Sequence, residues 1–273
     1  MQIGNFKLTV LEFKFEPIDR NYRFYGSYYR GMLGRYLFKK FCILRNANCD
    51  SCPLNDKCLY MLTFERYKDA LFPPYIINRA EKDYLRITLL GGLVELSDIY
   101  IDAFKKQLEI KENGFFHPYL TDIQPNKIVF SSNDLESIKA VDDSFIVDVS
   151  FLRLKKNSRL VSCDEITFDD LLKAIEKRIY LANKFYGDKE YKVFLPEFKG
   201  DFKKIECKYE KVKRYSHRKK RLMEIPSMDC SFEVKGDVES IYPFIYLATL
   251  LNVGTNASMG FGQLKVKPLK KRP

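Results

Sequence analysis

The chain has 273 residues, of which 46% are hydrophobic and 15% aromatic. This is enough apolar material for one large domain or two ordinary ones, and it excludes a disordered chain. No stretch comes near the roughly 20 uncharged apolar residues that span a bilayer, and the N-terminus lacks the basic start and apolar block of a signal peptide. We therefore expect a cytoplasmic protein with no membrane partner.

The formal net charge is +11, and the basic residues are unevenly placed. Between Lys203 and Arg221, ten Lys or Arg stand against two Glu. Clustered cations favour a polyanionic partner, because lysine and arginine bound to phosphates release condensed counterions. Nucleic acid is therefore the predicted ligand class, and a merely basic surface is the alternative.

The first half of the chain predicts the order strand, helix, strand, strand, helix, strand. Its first strand has two alternating apolar runs, the second one place out of step, which predicts a bulge. These runs are Phe6, Leu8 and Val10, then Leu11, Phe13 and Phe15. The later elements are a helix through Leu33 and Leu37, strands at 75–78 and 85–89, a helix from Ser97 or Asp98, and a strand at 128–130.

The second half predicts the same order. Thr167 to Asp170 forms a capping box for a helix with an apolar face. The other elements are strands at 145–151, 205–209 and 228–234, a buried helix at 240–251, and a strand around Leu264. Two successive βαββαβ units predict an α+β protein with two tandem ferredoxin-like (RRM-like) domains, at 1–132 and 140–273. Residues 133–143 are the predicted linker.

Four of the seven cysteines crowd into residues 42–58, as an insertion in the first domain. Cys42, Cys49, Cys52 and Cys58 are separated by six, two and five residues. Four thiolates at such spacing can hold one tetrahedral ion, so a structural zinc is predicted. An iron–sulfur cluster or reduced, metal-free cysteines are the alternatives. Cys207 and Cys230, at inward strand positions, are predicted to be small core residues.

A glycine-rich loop at 254–262 lies between the last predicted helix and the last strand. Its glycines, Gly254, Gly260 and Gly262, let backbone N–H groups approach a phosphate closely. The loop is neither a Walker motif nor a Rossmann fingerprint, because no Gly-Lys-Ser/Thr follows and it precedes a strand. A plain tight connection is the alternative.

A glycine-rich loop before the final strand of a ferredoxin-like domain resembles the RAMP superfamily. Two more motifs are similar to one CRISPR repeat-processing endoribonuclease family within it: the segment 30–35 (RGMLGR) with the four cysteines after it, and the segment 214–219 (RYSHRK). The chain also departs from that pattern. Asn252 and Thr255 occupy places where members often carry His and Lys, and Lys219 stands where Gln is usual.

The resemblance implies an endoribonuclease that cuts CRISPR repeat RNA without a catalytic metal. The 2′-hydroxyl of the RNA would attack the adjacent phosphate, leaving a 2′,3′-cyclic phosphate and a 5′-hydroxyl. This reaction needs an acid, a base and cations on the phosphorane. Of the two histidines, His217 is the stronger candidate, because the surrounding cations favour its neutral form, and His117 is the weaker.

Tyrosines beside the first motif are further candidates. Tyr28 and Tyr29 could supply a hydroxyl or stack on bases, and packing between strand and helix is the alternative. The predicted RNA-binding group also includes the three glycines above and these cations: Arg30, Lys213, Arg214, Arg218, Lys219 and Lys220.

Two other functions remain open at this point. The chain could be a non-catalytic RAMP subunit that holds guide RNA in a CRISPR effector complex, with other complex subunits as partners. It could also be a zinc-containing DNA-binding regulator, although no helix-turn-helix signature is present.

Overall fold

Two antiparallel sheets of four strands each organise the chain. The computed structural model describes residues 5–15, 17–18, 22–44, 48–64, 72–109, 120–130, 132–140, 142–189, 192–216 and 221–269. The strands are β1 (Phe6–Phe15), β2 (Tyr75–Ala80), β3 (Tyr84–Leu90), β4 (Leu120–Phe130), β5 (Ser144–Leu152), β6 (Lys155–Lys156), β7 (Arg159–Leu160), β8 (Gly200–Ser216), β9 (Arg221–Gly236) and β10 (Gln263–Pro268). The helices are α1 (Gly26–Phe41), α2 (Leu59–Phe64), α3 (Ser97–Glu109), α4 (Ser132–Ser137), α5 (Phe168–Tyr186) and α6 (Tyr242–Leu251).

Both sheets have the strand order of a ferredoxin-like unit. The first runs β2-β3-β1-β4 and the second runs β10-β5-β9-β8, so in each the first and third strands of the unit lie in the centre. The main elements follow βαββαβ twice, with α2 and α4 added. The prediction of an α+β protein with two tandem ferredoxin-like domains is confirmed. Across the described residues, no helix is long and apolar enough to cross a membrane.

Strand β1 has no bulge at the point where its apolar pattern changes phase. Its pairing with β3 runs without a break from Leu8 to Lys14, and the register shift in its pairing with β4 lies between Lys14 and Phe15. The strand therefore has an irregularity, but not at the predicted place. Phe6, Leu8 and Val10 are instead buried in the same core as the second domain. The second run, from Leu11 to Phe15, packs in a separate core with α1 and α3. The first part of the strand is therefore buried against the second domain, and the rest is buried in the core of the first domain.

Side-chain amides join the two domains as well. Asn78 donates to the backbone oxygen of Leu250 and accepts a hydrogen bond of 2.7 Å from Thr88. Asn252 donates to the backbone oxygen of Ile77 at 2.9 Å. The predicted linker includes most of α4, whose Leu135 is fully buried in the shared core. Polar and apolar contacts thus fix one domain on the other.

Helix α5 begins as its sequence predicts. The Thr167 hydroxyl accepts from the Asp170 backbone, and the Asp170 carboxylate accepts from the Thr167 backbone, which completes the capping box. The apolar face toward the sheet is buried along the helix, at Leu171, Ile175, Ile179 and Ala182. This packing fixes the helix that borders the glycine-rich loop.

Cys207 is not a simple core residue, which corrects its prediction. It forms a disulfide with Cys163, and its sulfur lies 2.9 Å from that of Cys230, its cross-strand partner in β9. Cys230 alone is buried as a small core residue, and burial raises the pKa of its thiol to about 12. The segment around Cys163 is also held by Lys204, which donates to its backbone oxygen at 2.7 Å.

We expect reduction of the Cys163–Cys207 bond to lower the free energy of unfolding. The bond closes a loop with a sequence separation of 44 residues, so its loss should cost about 2–4 kcal/mol through unfolded-chain entropy. Urea unfolding with and without dithiothreitol would measure this. The double variant Cys163→Ser, Cys207→Ser is the control, because it should show no response to the reductant. Equal stability of the oxidised and reduced wild type would contradict the prediction.

Candidate nucleic-acid interface

Strands β8 and β9 extend past the rest of their sheet. Strand β5 stops pairing with β9 at Met228, so residues 221–227 of β9 pair with β8 alone. We call the described ends of this pair, residues 210–216 and 221–227, the arm. Its side chains alternate: Val212 is buried and Lys213 is exposed. One face of the arm therefore turns toward the protein and the other toward solvent.

The inward face of the arm meets the glycine-rich loop. Val212 and Ile225 pack in one small core with Phe24 and Phe261. On the same side, the Arg214 guanidinium contacts the Met259 sulfur at 2.9 Å. These contacts bring the arm, the loop and the start of α1 to one place.

Two predicted RNA-binding cations are neighbours at this junction. Burial lowers the pKa of Arg214, and the positive charge of Arg30 lowers that pKa further. Arg30 itself lies over the ring of Phe64, 4.9 Å from its centre. The Nε atom of Arg214 is buried and has no hydrogen-bond partner among the described residues. Because two nearby guanidinium groups repel each other, an anion bound between them would be stabilising.

The glycine-rich loop touches α1 through backbone atoms. A Cβ added at Gly26 would lie 1.9 Å from the Met259 oxygen, so only glycine allows this approach. Gly260 has φ +94° and lies beside the Gly26 Cα. The loop thus meets the start of α1, the helix that carries Arg30, and Met259, next to Gly260, contacts Arg214.

Gly254 and Gly262 have different surroundings from Gly260. A Cβ at Gly262 would lie 1.9 Å from the Val253 oxygen, so Gly262 closes the loop on itself. Gly254 accepts a hydrogen bond from the Arg178 side chain and lies on the α5 side of the loop. These two glycines shape the loop.

An ion-pair cluster at the base of the arm is absent from the sequence predictions. Arg23 lies 2.7 Å from a Glu210 oxygen and 2.9 Å from an Asp229 oxygen. The other Asp229 oxygen accepts from the Phe151 backbone at 2.7 Å, and burial raises the pKa of Asp229. Phe151 has φ 54°, a strained conformation for a large side chain. Its backbone oxygen accepts from Gly262 at 3.1 Å, so the strain lies directly under the loop.

The two candidate tyrosines differ in exposure. Tyr29 is fully buried, and its hydroxyl donates to the Glu81 backbone oxygen at 2.7 Å. Burial raises its pKa well above the usual value, so a catalytic role does not fit Tyr29 and the packing alternative does. Tyr28 is half-buried, with its ring 5.9 Å from that of the exposed Tyr22. Tyr28 remains the candidate of the two.

Several predicted residues lie outside the described residues. They are His217, Arg218, Lys219 and Lys220, which lie between β8 and β9 in the sequence, and His117. Lys213 is described: it is exposed, with its ammonium 3.6 Å from a Glu224 oxygen. Among the cations predicted as a group, Lys213 and Arg214 therefore occupy opposite faces of the arm.

Two of the three positions that depart from the family pattern, both in the loop segment, have structural contacts; the third, Lys219, lies outside the described residues. Asn252 is fully buried and donates to the backbone oxygens of Ile77 and Phe261, at 2.9 and 3.1 Å. The Thr255 backbone donates to the Arg153 oxygen at 3.0 Å. Asn252 fastens the loop to the first domain and offers no acid or base at its surface.

The four clustered cysteines are partly buried. Short 3₁₀ turns at Cys49–Ser51 and Asn55–Lys57 separate them. Within the part of the chain that is described, no three His, Cys, Asp or Glu side chains are grouped to hold a metal ion. The structural zinc therefore stays a prediction from the spacing.

Comparison with solved structures identifies the architecture. Thermus thermophilus Cas6 has a TM-score of 0.55 at 11% identity, over 98% of this chain and 99% of that chain. A Cas6 product complex has a TM-score of 0.53 at 13% identity, over 97% and 99% of the two chains. The chain has the fold of Cas6. A partial Cas6-RT-Cas1–Cas2 complex also matches, with a TM-score of 0.57 at 11% identity over 99% of this chain and 47% of that chain.

Sequence comparisons reach only part of the molecule. Residues 6–127 match the family model AF_1859_N, described as an N-terminal domain. No curated protein matches the chain significantly. The Cas6 likeness therefore concerns the fold, at an identity of 13% or less in these three structures.

Proposed function

We propose that the chain is an endoribonuclease that binds and cleaves CRISPR repeat RNA to generate guide RNAs. The observation that carries the proposal is the placement of Arg214 against Met259 of the glycine-rich loop, near enough to Arg30 for the charge of Arg30 to lower the Arg214 pKa. Two neighbouring guanidinium groups beside the backbone of a glycine-rich loop can bind the phosphate of a phosphodiester. The Cas6 fold supports RNA as the molecule that carries this phosphodiester. Proteins of CRISPR effector complexes are proposed as further partners.

Each candidate residue has a proposed role in the cleavage. Arg30 and Arg214 would stabilise the negative charge that develops on the phosphorane. The 2′-hydroxyl of the RNA would be the nucleophile, so the proposal requires no metal. His217 is proposed as the base that takes its proton, and Tyr28 as a hydroxyl donor or a stacking surface for a base. Lys213, Arg218, Lys219 and Lys220 would bind flanking phosphates.

Cleavage of the cognate repeat RNA should persist in excess EDTA. Because a 2′-hydroxyl attack leaves a 2′,3′-cyclic phosphate, the upstream product should resist 3′-end labelling until the cyclic phosphate is opened and removed. A repeat with a 2′-deoxy substitution at the cleaved nucleotide is the matched control, because it should bind and stay intact. Loss of cleavage in EDTA with recovery in magnesium would contradict the proposed mechanism.

Replacing His217 by alanine should slow single-turnover cleavage of the repeat RNA, because the proposed base is lost. An unchanged rate would show that His217 is not the base.

A second candidate is a non-catalytic subunit that holds guide RNA. The observation that favours it is Asn252, which stands at one of the loop positions where the resembled family often carries His and is buried in a structural role. This candidate predicts tight RNA binding with no cleavage under any metal condition.

The third candidate is a DNA-binding regulator, which predicts a preference for duplex DNA over hairpin RNA. Duplex DNA as a competitor in the same binding assay would test it.

We further propose that the four cysteines bind one structural zinc ion. The support is their spacing alone. Metal analysis of the purified chain should find about one zinc per chain, and Cys52→Ser should lower the zinc content and the thermal stability. Cys230→Ser is the control, since it changes a cysteine outside the cluster and should leave the zinc content unchanged. A zinc-free, folded protein would exclude the ion and favour the metal-free alternative.

A further inference from the structure

A cavity of about 590 Å³ lies on the helix side of the second domain. It is bordered by α5, by the chain from the end of β5 to β7, and by residues 254–258 of the glycine-rich loop. Its lining is strongly basic. The cations are Arg153, Lys155, Lys156, Lys173, Lys177 and Arg178, and Asp170 is the one acid of the lining.

The single acid does little to balance these charges. The Asp170 carboxylate accepts from the Thr167 backbone and hydroxyl, at 3.2 and 2.9 Å, and lies 3.3 Å from Lys156. No carboxylate of the described residues forms an ion pair with Lys155, Lys173 or Lys177. The cavity therefore carries several positive charges that no carboxylate in the described part of the chain neutralises.

Arg178 gives the strongest indication of an anion. Its side chain is 7% exposed, donates to the Gly254 backbone oxygen and lies over the Phe72 ring, 4.8 Å from its centre. Burial lowers its pKa to about 10, which leaves the guanidinium charged at neutral pH. Among the described residues, no acid pairs with it. A buried cation without a counter-charge is costly, and an anion in the cavity would offset that cost.

The shape and the apolar lining suit more than a bare anion. Leu154, Val161 and Leu181 line the cavity beside the cations. Its volume lies in the range of small-molecule sites, which combine apolar walls with a few polar anchors. A ligand with phosphates at one end and an apolar ring face at the other would satisfy both parts of the lining.

The cavity is separate from the interface formed by the arm, although both use the glycine-rich loop. Residues 254–258 line the cavity, whereas Met259 and Gly260 contact Arg214 and α1. Arg153 stands between the two: its guanidinium lines the cavity, lies 5.8 Å from the Phe261 ring centre and donates to Thr255 at 3.4 Å. A ligand in the cavity would therefore contact the opposite side of the same loop.

We propose that this cavity is a binding site for the phosphates of a nucleotide. The phosphates would come either from a free nucleoside polyphosphate or from an unpaired stretch of RNA. Lys173, Lys177 and Arg178 on α5 would bind them, and the apolar wall would face the base or ribose. This site does not depend on the endoribonuclease activity proposed for the arm and the loop.

Isothermal titration of the full chain with ATP, without divalent metal, tests the site directly. We expect ATP to bind, and the double variant Lys173→Ala, Lys177→Ala to weaken that binding by about tenfold or more, because two charge-assisted contacts are lost. Lys184→Ala is the matched control, because Lys184 is an exposed lysine on the same helix outside the cavity. Thermal unfolding of each variant verifies that it is folded.

Competition separates the two sources of phosphate. Displacement of ATP by a short unpaired oligoribonucleotide, in the wild type and in Lys184→Ala, assigns the site to RNA as well. ATP binding without such displacement assigns it to free nucleotides. If neither probe binds, or if the double variant binds ATP like the wild type, the site does not exist as proposed. Repeat-hairpin binding by the double variant is measured in parallel, so that failure here stays distinct from failure of the RNA-cleavage proposal.

Discussion

Replacing Gly26 by alanine should destabilise the protein by about 3 kcal/mol, because the added Cβ cannot be accommodated. It would lie 1.9 Å from the backbone oxygen of Met259, and neither α1 nor the loop can yield without moving its backbone. Urea unfolding would measure the loss. The same change should weaken repeat-RNA binding in the folded fraction, since it separates α1 from the glycine-rich loop.

Gly31 supplies a matched control in the same helix. A Cβ at Gly31 would meet only the far end of the Arg35 side chain, at 3.7 Å. Gly31→Ala should therefore stabilise the chain by up to about 1 kcal/mol through helix propensity. If Gly26→Ala proved as stable as Gly31→Ala, the close contact between α1 and the loop would be disproved.

The second large effect is expected at Arg214. Arg214→Ala should slow single-turnover cleavage of repeat RNA by about 100-fold, the size seen when one preorganised charge-stabilising donor is removed. Its guanidinium is half-buried beside Arg30 and Met259, so water cannot easily replace it. Arg214→Lys should recover only part of the rate, because an ammonium group lacks the planar fork of a guanidinium.

Lys213 separates this effect from general charge loss. Lys213 neighbours Arg214 in the chain, carries the same charge and is exposed on the other face of the arm. Lys213→Ala should change the single-turnover cleavage rate by less than about fivefold, because Lys213 would bind a flanking phosphate from the exposed face of the arm and would not touch the reacting phosphate. Similar losses for both variants would mean that the arm acts only through its total charge, and the proposed role of Arg214 would fail.

Element order was predictable from sequence because each element carries its own period or cap. The Thr167–Asp170 capping box and the alternation in β5 are local signals, and both appear in the structure as expected. The phase change in β1 misled the prediction of a bulge. A regular strand whose two faces are buried against two different domains has the same apolar sequence pattern as a bulged strand buried on one face. Only the tertiary contacts distinguish the two cases.

The candidate site was predictable only where a motif marked it. Arg30, Arg214 and Gly260 belong to motifs that can be recognised in one sequence, and the structure places Arg214 near Arg30 and against Met259, the residue before Gly260. Arg23 and Phe151 carried no such signal. The partners of Arg23 lie 187 and 206 residues away in the chain, and the strain at Phe151 depends on a loop that closes above it. Ion pairs between residues so far apart in the chain depend on the fold, so the local sequence does not predict them.

The burial of Phe6, Leu8 and Val10 in the core of the second domain makes the two halves of the chain one cooperative unit. Opening the molecule at residues 133–143 would expose these side chains and break the amide contacts of Asn78 and Asn252. Hinge opening between the two halves would therefore cost the free energy gained by burying these side chains. The distance between α1 and the loop is set when the protein folds, and an RNA that binds there must fit a surface that is already formed.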